Sequence, residues 1–312
     1  MAETSILPHD RGHLLWTADE GVSRLLLSSM DRWITTILAD DCIDSPLFGM
    51  GEKTTATIIA KDDGLVAGTA MVDHLIQIWA PSININWHAT DGKKVSIGDD
   101  IATVNGDQEN ILKIERSMLN ILGQLSGIAT ETKKWSTIAV KQIACTRKTT
   151  WGLLDKWAVH LGGGLTHRLN REDAIMIKEN DLASMDETSN DNNEGIAKFI
   201  QELDLEQLNS FLEIEVRTEK EAITAAAIWQ NTHGESGHKA VIMLDNFGPE
   251  KSKQVVSQLE DMGLRDAVYL EASGNITHEK LEQWFECGID VLSTSAINRG
   301  VKPLDMSMIF GD

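Results

Sequence analysis

Short apolar runs alternate with amphipathic stretches throughout the second half of the chain. The runs are rich in Val, Ile and Leu, as buried strands are, and the stretches between them repeat apolar residues at helical spacing. Strands that alternate with helices through short connections indicate a parallel sheet, either open or closed into a barrel. We predict strands over residues 142–146, 174–178, 212–216, 240–244, 267–271 and 291–294, and helices over residues 153–161, 194–203, 219–230, 249–261 and 277–286.

The first half of the chain has a different pattern. We predict helices over residues 21–43, 69–79 and 108–139. Residues 50–107 show strand-like alternation, with a predicted strand at 56–60 and a hairpin turn at 62–64, which together indicate a small α+β unit with an antiparallel sheet. Residues 1–20 have no regular pattern and are predicted as an extension, and the polar segment 183–193 is predicted as an exposed loop.

The chain is strongly acidic, because its 312 residues include 28 Lys and Arg against 48 Asp and Glu, a net charge of −20. A field of this sign repels nucleic acids and anionic membranes, so we expect neither as a partner. No apolar run is long enough to span a bilayer, and we expect no signal peptide. The three cysteines are widely spaced and match no zinc-ligand pattern, so we expect a reduced, cytoplasmic protein without structural zinc.

A basic segment interrupts this acidic background between Cys145 and Lys178. It holds six basic and three acidic residues, a local balance of +3 (six minus three). The basic residues are Arg147, Lys148, Lys156, Arg168, Arg171 and Lys178. Guanidinium groups bind carboxylates and phosphates bidentately, so an anionic ligand is the interpretation we favour for Arg147 and Arg168. The alternatives are ordinary surface ion pairs for the arginines and simple solvation for Lys148 and Lys178.

Polar residues end or follow each predicted strand, at the edge where a parallel barrel places its site. Glu215 and Asp245 end successive strands, and two carboxylates there suggest Mg²⁺ held together with a pyrophosphate. Direct pairing of these carboxylates with Lys148 and Lys178 is the alternative. The small residues at 273–275 either free backbone N–H groups for a phosphate or form an ordinary helix cap.

The order and spacing of these motifs resemble one family from about residue 50 to the C-terminus. The chain is similar to quinolinate phosphoribosyltransferase, also called nicotinate-nucleotide pyrophosphorylase (carboxylating). The matching stretches are ERSMLN (115–120), LSGIAT (125–130), TRKTT (146–150), GGGLTHR (162–168), IKEN (177–180), EIE (213–215), LDNF (244–247), EASG (271–274) and LD (304–305).

This resemblance implies a two-part α/β fold. An N-terminal α+β sandwich-like domain is joined to an incomplete (β/α) barrel of the type II phosphoribosyltransferase kind, and the C-terminal segment returns to the first domain. The expected boundaries are an extension at 1–20, the N-terminal domain at 21–126 with 296–312, and the barrel at 127–295. The family works as a homodimer or larger homo-oligomer, which implies that Arg116 reaches the active site of a neighbouring subunit.

The resemblance also implies roles for individual residues. Lys148, Lys178, Glu215 and Asp245 are the expected catalytic residues, and the two acids are expected near the ribose and its Mg²⁺. The residues expected to bind quinolinate and 5-phosphoribosyl 1-diphosphate (PRPP) are Arg116, Thr146, Arg147, Lys148, His167, Arg168, Lys178, Glu215, Asp245, Ser273, Gly274, Asn275, Ser295, Ala296, Ile297 and Arg299. From residue chemistry alone, His167 is equally well interpreted as a structural histidine.

Besides Arg299, which stands near a usual histidine, four positions depart from the family pattern. Trp151 follows the TRKTT motif where Pro-Gly is usual, and Asp181 replaces a histidine. Asn275 and Ser295 replace glycines of the two turns expected to hold the 5′-phosphate, at 273–275 and 295–297. The last two departures therefore bear on phosphate geometry and not on the fold.

The implied reaction transfers the phosphoribosyl group of PRPP to quinolinate and gives nicotinate mononucleotide, pyrophosphate and CO₂, a step in NAD biosynthesis. One alternative is a phosphoribosyltransferase for nicotinate or another base, which needs fewer cations than the three arginines Arg116, Arg147 and Arg168 supply. Another is a non-catalytic nucleotide-binding relative, whose mark would be loss of the expected catalytic residues.

Overall fold

The computed structural model describes residues 7–49, 51–139, 142–185 and 192–311. Its strands are β1 (Trp16–Thr17), β2 (Gly21–Val22), β3 (Lys53–Ala60), β4 (Gly64–Leu65), β5 (Asn84–Trp87), β6 (Lys94–Val95), β7 (Asp100–Asp107), β8 (Ile143–Ala144), β9 (Ile175–Ile177), β10 (Leu212–Val216), β11 (Ala240–Asp245), β12 (Val268–Ser273), β13 (Val291–Ser293) and β14 (Met306–Phe310). Its α-helices are α1 (Arg24–Asp40), α2 (Thr69–Trp79), α3 (Gln108–Ile138), α4 (Leu153–Leu161), α5 (Glu179–Met185), α6 (Asn192–Glu202), α7 (Glu219–His233) and α8 (Gly248–Asp261).

The chain divides into two compact units. The first comprises the residues up to Asp10 together with Ile138–Arg147 and His167–Ala296. The second comprises Arg11–Thr137, Lys148–Thr166 and Ile297–Asp312. The chain therefore crosses between the units several times, and each unit is built from separate segments.

The first unit contains a six-stranded sheet in the order β8-β13-β12-β11-β10-β9. All of its neighbouring strands are parallel. Consecutive strands β9 to β13 lie side by side, and the first strand, β8, then pairs with the last, β13, which is the connectivity of a (β/α) barrel. Within the described residues β8 and β9 do not pair, so the barrel is incomplete, and the predicted fold class is confirmed.

Pairing register divides these strands into two faces. Ile214, Ile242 and Leu270 lie side by side on one face, and all three are buried. Full burial of such a side chain stabilises the fold by roughly 1.5–3 kcal/mol. On the opposite face, Glu213 and Glu271 are as deeply buried as the apolar residues. Buried carboxylates are costly unless they have partners, so this face is built for something other than packing alone.

The second unit contains a four-stranded antiparallel sheet in the order β14-β3-β7-β5. β14 pairs with β3 from Met306 opposite Ala60 to Phe310 opposite Ala56, so the end of the described chain completes a sheet that begins near residue 53. The long helix α3 has a wide buried apolar face that includes Ile111, Ile114, Met118, Leu122 and Leu125. No helix in the described ranges combines the length and apolarity that a bilayer crossing requires.

The predicted hairpin at residues 62–64 is wrong. β4 follows this turn but pairs with β6 and not with β3. Both edges of β3 are already occupied, because β14 pairs with one and β7 with the other. The turn therefore joins strands of two different sheets.

Three other predictions need correction. The predicted loop at 183–193 is partly helical, because α5 extends to Met185 and α6 begins at Asn192; residues 186–191 lie outside the described residues. The predicted helix at 277–286 is a 3₁₀ segment, His278–Trp284, whose hydrogen bonds span three residues, as in Lys280 N–H to the Thr277 carbonyl. The predicted extension at 1–20 contains a 3₁₀ turn and strand β1, which pairs with β2.

Candidate active site

The carboxyl edge of the barrel sheet gathers polar side chains from neighbouring strands. Asp245, the last residue of β11, lies beside Ser273, the last residue of β12, and Ser273 in turn lies beside Ser293 of β13. Glu215 of β10 pairs with Met243, two residues before Asp245, and therefore lies on the same face one step deeper. The predicted position of these residues at the strand ends is confirmed.

Lys178 and Glu215 form a direct ion pair at this edge. The Glu215 side chain is only 9% exposed, and its other carboxylate oxygen lies 4.0 Å from a guanidinium nitrogen of Arg217. The backbone N–H of Lys178 donates to the Asp181 carboxylate at 3.0 Å, so Asp181 caps the start of α5. For Glu215, the structure thus contains the direct lysine pairing that was the alternative to a metal.

Arg147 and Arg168 approach each other closely enough to interact electrostatically. Burial lowers the pKa of Arg168, and the charges of Arg147 and Arg171 add to that lowering, while Glu213 opposes it. The Arg168 guanidinium donates to the Ala174 carbonyl at 3.0 Å, which fixes it inside the barrel. Arg147 is exposed and, within the described ranges, has no hydrogen-bond or ion-pair partner. The Arg168 guanidinium is therefore held in place by the protein, whereas the Arg147 side chain is not.

The two turns expected to hold a phosphate are linked within the first unit. The hydroxyl of Thr294 donates to the Ile276 carbonyl at 3.4 Å and accepts from the backbone N–H of Ala296 at 3.1 Å. Ser295 lies between these two bonded residues. The turn after β13 is thus attached to the loop after β12.

Left-handed backbone shapes the loop after β12. Gly274 has φ +93°, and a side chain there would collide with the Asn246 side chain. Asn275 has φ +53°, a conformation that asparagine adopts more readily than most residues. The Asn275 amide donates to Oδ1 of Asn246 at 3.2 Å. Asparagine in place of the usual glycine therefore preserves the backbone path.

A buried cluster of two histidines and two glutamates lies deeper in the barrel. His167 Nε2 is 3.2 Å from Oε2 of Glu271 and 3.3 Å from Oε2 of Glu213. His9 Nε2 is 2.8 Å from the same Glu271 oxygen. All four residues are buried, His9 and both glutamates completely. His167 is therefore part of a buried network of histidine and glutamate side chains.

The protonation of His167 is decided by opposing effects. Burial disfavours the charged ring, but the charges of Glu213 and Glu271 outweigh it and raise the pKa of His167 to about 10. The Arg168 backbone N–H donates to Nδ1 at 2.7 Å, which favours the neutral ring. A net hydrogen bond contributes about 1 kcal/mol, whereas an uncompensated buried carboxylate costs several, so the charged ring prevails. Despite its burial, the pKa of Glu271 is lowered by His167 and His9.

The remaining predicted site residues belong to the second unit: Arg116, Lys148, Ile297 and Arg299. Arg116 is exposed on α3, has no hydrogen-bond or ion-pair partner in the described part of the chain, and lines a cavity of about 420 Å³ with Asn120 and Trp151. Ile297 is buried and Arg299 is exposed.

The backbone around Lys148 is held by two buried polar residues that sequence reasoning missed. Nδ2 of Asn298 donates to the Lys148 carbonyl and to the Asp155 carboxylate, each at 3.0 Å. Asp155 also accepts from the backbone N–H groups of Thr150, at 2.9 Å, and Trp151, at 3.1 Å. The TRKTT segment is therefore anchored at its end, although Asp155 appeared in the sequence only as one acid of a basic segment.

The sequence of the chain matches the two domain models of one protein family. The family model "Quinolinate phosphoribosyl transferase, N-terminal domain" matches residues 34–126, and the model of the C-terminal domain matches residues 128–309. The chain belongs to the quinolinate phosphoribosyltransferase family. The "probable nicotinate-nucleotide pyrophosphorylase [carboxylating]" of Methanothermobacter thermautotrophicus is 34% identical over 276 residues, which cover 86% of this chain and 92% of that protein.

Two further relatives extend the comparison. A chloroplastic nicotinate-nucleotide pyrophosphorylase [carboxylating] of Oryza sativa is 36% identical and covers 82% of this chain and 69% of that protein. The structure of the nicotinate-nucleotide pyrophosphorylase from Francisella tularensis superposes with a TM-score of 0.75 at 29% identity, over 91% of this chain and 96% of that one. The quinolinate phosphoribosyltransferase match begins at residue 34, so the segment that carries His9 precedes it.

Proposed function

We propose that this protein transfers the phosphoribosyl group of PRPP to quinolinate and decarboxylates the product. The observation that carries the proposal is the barrel edge, where Lys178 follows β9 and Glu215 and Asp245 lie near the ends of β10 and β11, in a chain of this family. In the reaction, the bond from C1′ to pyrophosphate breaks and a bond from the pyridine nitrogen to C1′ forms. The C2 carboxylate then leaves as CO₂, and a proton replaces it.

The negative charges of the two proposed substrates explain why the site would need several basic residues. Quinolinate carries two carboxylates and PRPP several phosphate charges, so fixed cations are needed to gather them. We assign the carboxylates of quinolinate to Arg147, His167 and Arg168, with Thr146 beside them. We assign the 5′-phosphate to the linked turns at 273–275 and 295–297, with Arg299 as a further cation.

The carboxylates account for the transfer step. Departure of pyrophosphate leaves positive charge on the ribosyl group, and fixed carboxylates beside that charge stabilise it. Asp245 is half-buried, and one of its oxygens accepts from the Asn246 amide at 3.0 Å, which leaves the other to face the ribose. Magnesium enters with PRPP as part of the substrate, and Asp245 fits its preference for carboxylate oxygen better than Glu215, which Lys178 already neutralises.

The lysines account for the decarboxylation. Once the pyridine nitrogen carries the ribosyl group, the ring can accept the electrons that the C2 carboxylate leaves behind. A nearby ammonium stabilises this carbanion and supplies the proton, a role we assign to Lys178 or Lys148. We also propose a cytoplasmic homodimer or larger homo-oligomer, in which the exposed Arg116 completes the site of a neighbouring subunit.

A coupled assay tests the proposal. Purified protein is incubated with PRPP, Mg²⁺ and either quinolinate or nicotinate, and the release of CO₂ and the formation of mononucleotide are followed. We expect CO₂ and nicotinate mononucleotide from quinolinate, and no product from nicotinate. Product from nicotinate without CO₂ would assign the protein to a non-carboxylating phosphoribosyltransferase activity, and binding of PRPP without turnover of either base would favour a nucleotide-binding relative.

A further inference from the structure

His9 is a buried histidine in the segment that precedes the family match. Its side chain is fully buried, whereas its neighbours Pro8 and Asp10 are only half-buried. The His9 ring packs edge-on against the His167 ring, with centroids 5.0 Å apart, and lies 5.2 Å from the Phe211 ring. A polar ring enters the barrel interior here, where an apolar residue would be the simpler way to fill space.

His9 holds His167 at two points. Its backbone carbonyl accepts a hydrogen bond from the His167 N–H at 2.9 Å. Its ring Nε2 bonds the Glu271 oxygen that also faces the His167 ring. His167 needs such support, because it has φ +55°, a left-handed conformation that costs about 1 kcal/mol or more for a residue with a side chain.

The carboxylates of this cluster are short of hydrogen bonds. Among the described residues, both oxygens of Glu213 and Oε1 of Glu271 have no hydrogen-bond partner, and both side chains are completely buried. The N–H of His9 is therefore one of the few donors that keep Glu271 ionised and fixed in place. If Glu271 loses that donor, it becomes free to move or to take up a proton, and its hold on His167 weakens.

We propose that His9 is a positioning residue, which acts through Glu271 to fix the His167 ring for quinolinate binding. The proposal rests on the assignment of His167 to quinolinate made above. It makes the N-terminal segment part of the functional barrel, although that segment precedes the region that the family models match.

Three variants of the full chain test the role. His9→Leu fills similar space but removes the donor, and His9→Gln keeps an N–H where Nε2 lies. His13→Leu, at an exposed histidine of the same segment, is the matched control. The readouts are the KM for quinolinate, the KM for PRPP, the melting temperature and the ¹⁵N ring signals of His167, assigned with His167→Asn.

We expect His9→Leu to raise the KM for quinolinate about tenfold or more, as the loss of a hydrogen bond to a charged group implies, and to leave the KM for PRPP within about twofold. His9→Gln should restore most of the affinity, and His13→Leu should match the wild type. If His9→Leu does not fold, Glu271→Gln replaces it with the same expected result.

Other outcomes would overturn the proposal. If His9→Leu has the same kinetics as the wild type, or if His9→Leu and His9→Gln raise the KM for quinolinate equally, His9 contributes only packing. One equivalent of tightly bound metal in the wild type, absent from His9→Leu, would make the cluster a metal site instead. If the wild type does not turn over quinolinate, the proposed function fails, and unchanged His167 ring signals in His9→Leu remain the separate result that would refute positioning.

Discussion

Lys178, directly after β9, and Glu215, near the end of β10, form an ion pair at the carboxyl edge of the barrel sheet. The pair is asymmetric, because the Lys178 side chain is 44% exposed and the Glu215 side chain 9%. The lysine can therefore turn toward an incoming anion, whereas the glutamate stays in the barrel. In the proposed reaction, an anionic substrate would replace Glu215 as the partner of Lys178.

Removal of the Lys178 charge should impair turnover strongly. We expect Lys178→Met to lower kcat/KM about 100-fold or more, because a buried carboxylate loses its partner and the substrate loses a cation. Steady-state kinetics with quinolinate and PRPP measure the change. The matched control is Lys251→Met, at an exposed lysine of α8, which should stay within about twofold of the wild type. Comparable rates for both variants would contradict the role given to Lys178.

Alkaline pH should destabilise the protein through His167. The folded pKa of this ring, about 10, lies above its ordinary value of 6.5. Its contribution to the free energy of unfolding is therefore fully present below pH 6.5 and is lost as the pH rises toward about 10. Glu271 acts in the opposite sense, since its lowered pKa gives stability that is lost as the pH falls below its ordinary range.

Urea unfolding across the alkaline window measures this effect. His167→Gln has no ring to titrate, so its free energy of unfolding should vary less between pH 6.5 and about 10 than that of the wild type. Parallel curves for the two proteins would show that another group causes the alkaline loss.

Gly274→Ala should distort the loop after β12. The substitution combines a left-handed backbone, φ +93°, with a collision against Asn246. Gly263→Ala provides the matched control, because Gly263 also has a positive φ, +68°, but has open space where a side chain would lie. We expect the control to cost about 1 kcal/mol of stability and Gly274→Ala to cost more and to raise the KM for PRPP. An unchanged KM for PRPP would show that this loop does not bind the phosphate of PRPP.

Complementation tests whether Arg116 serves a neighbouring subunit. Arg116→Ala and Lys178→Ala proteins, each inactive alone, are unfolded together and refolded as a mixture. If one site takes its arginine from a partner, mixed dimers contain one intact site, and part of the wild-type activity returns. Activity that stays at the level of the single variants in demonstrated mixed dimers would show that Arg116 acts within its own chain.

Local patterns predicted the barrel well, because its strands are short apolar runs and most of them are next to an amphipathic helix. The bounds of β10 and α4 were predicted to the residue. The hairpin at 62–64 was predicted wrongly because strand pairing depends on which edges are free, and distant β14 occupies one edge of β3.

The site was predictable where residues belong to motifs at strand ends, and not where partners come from afar. Glu213 gave a weak signal, as a charged residue within an apolar strand. His9 gave none, because it belongs to none of the recognised motifs and its partner Glu271 lies 262 positions away. That the turn accepts Asn275 in place of glycine could be recognised only from the backbone angle φ of this residue, which the amino-acid sequence does not state.

The pairing of β14 with β3 also governs the order in which the chain can fold during synthesis. All six barrel strands leave the ribosome before β14 does, although β3 emerges before any of them. The antiparallel sheet of the second unit therefore waits, with one edge of β3 open, while the barrel forms. An open strand edge is a template for pairing with other chains. We therefore expect a truncation that removes β14 to make the nascent protein aggregate through β3, while the barrel itself still forms.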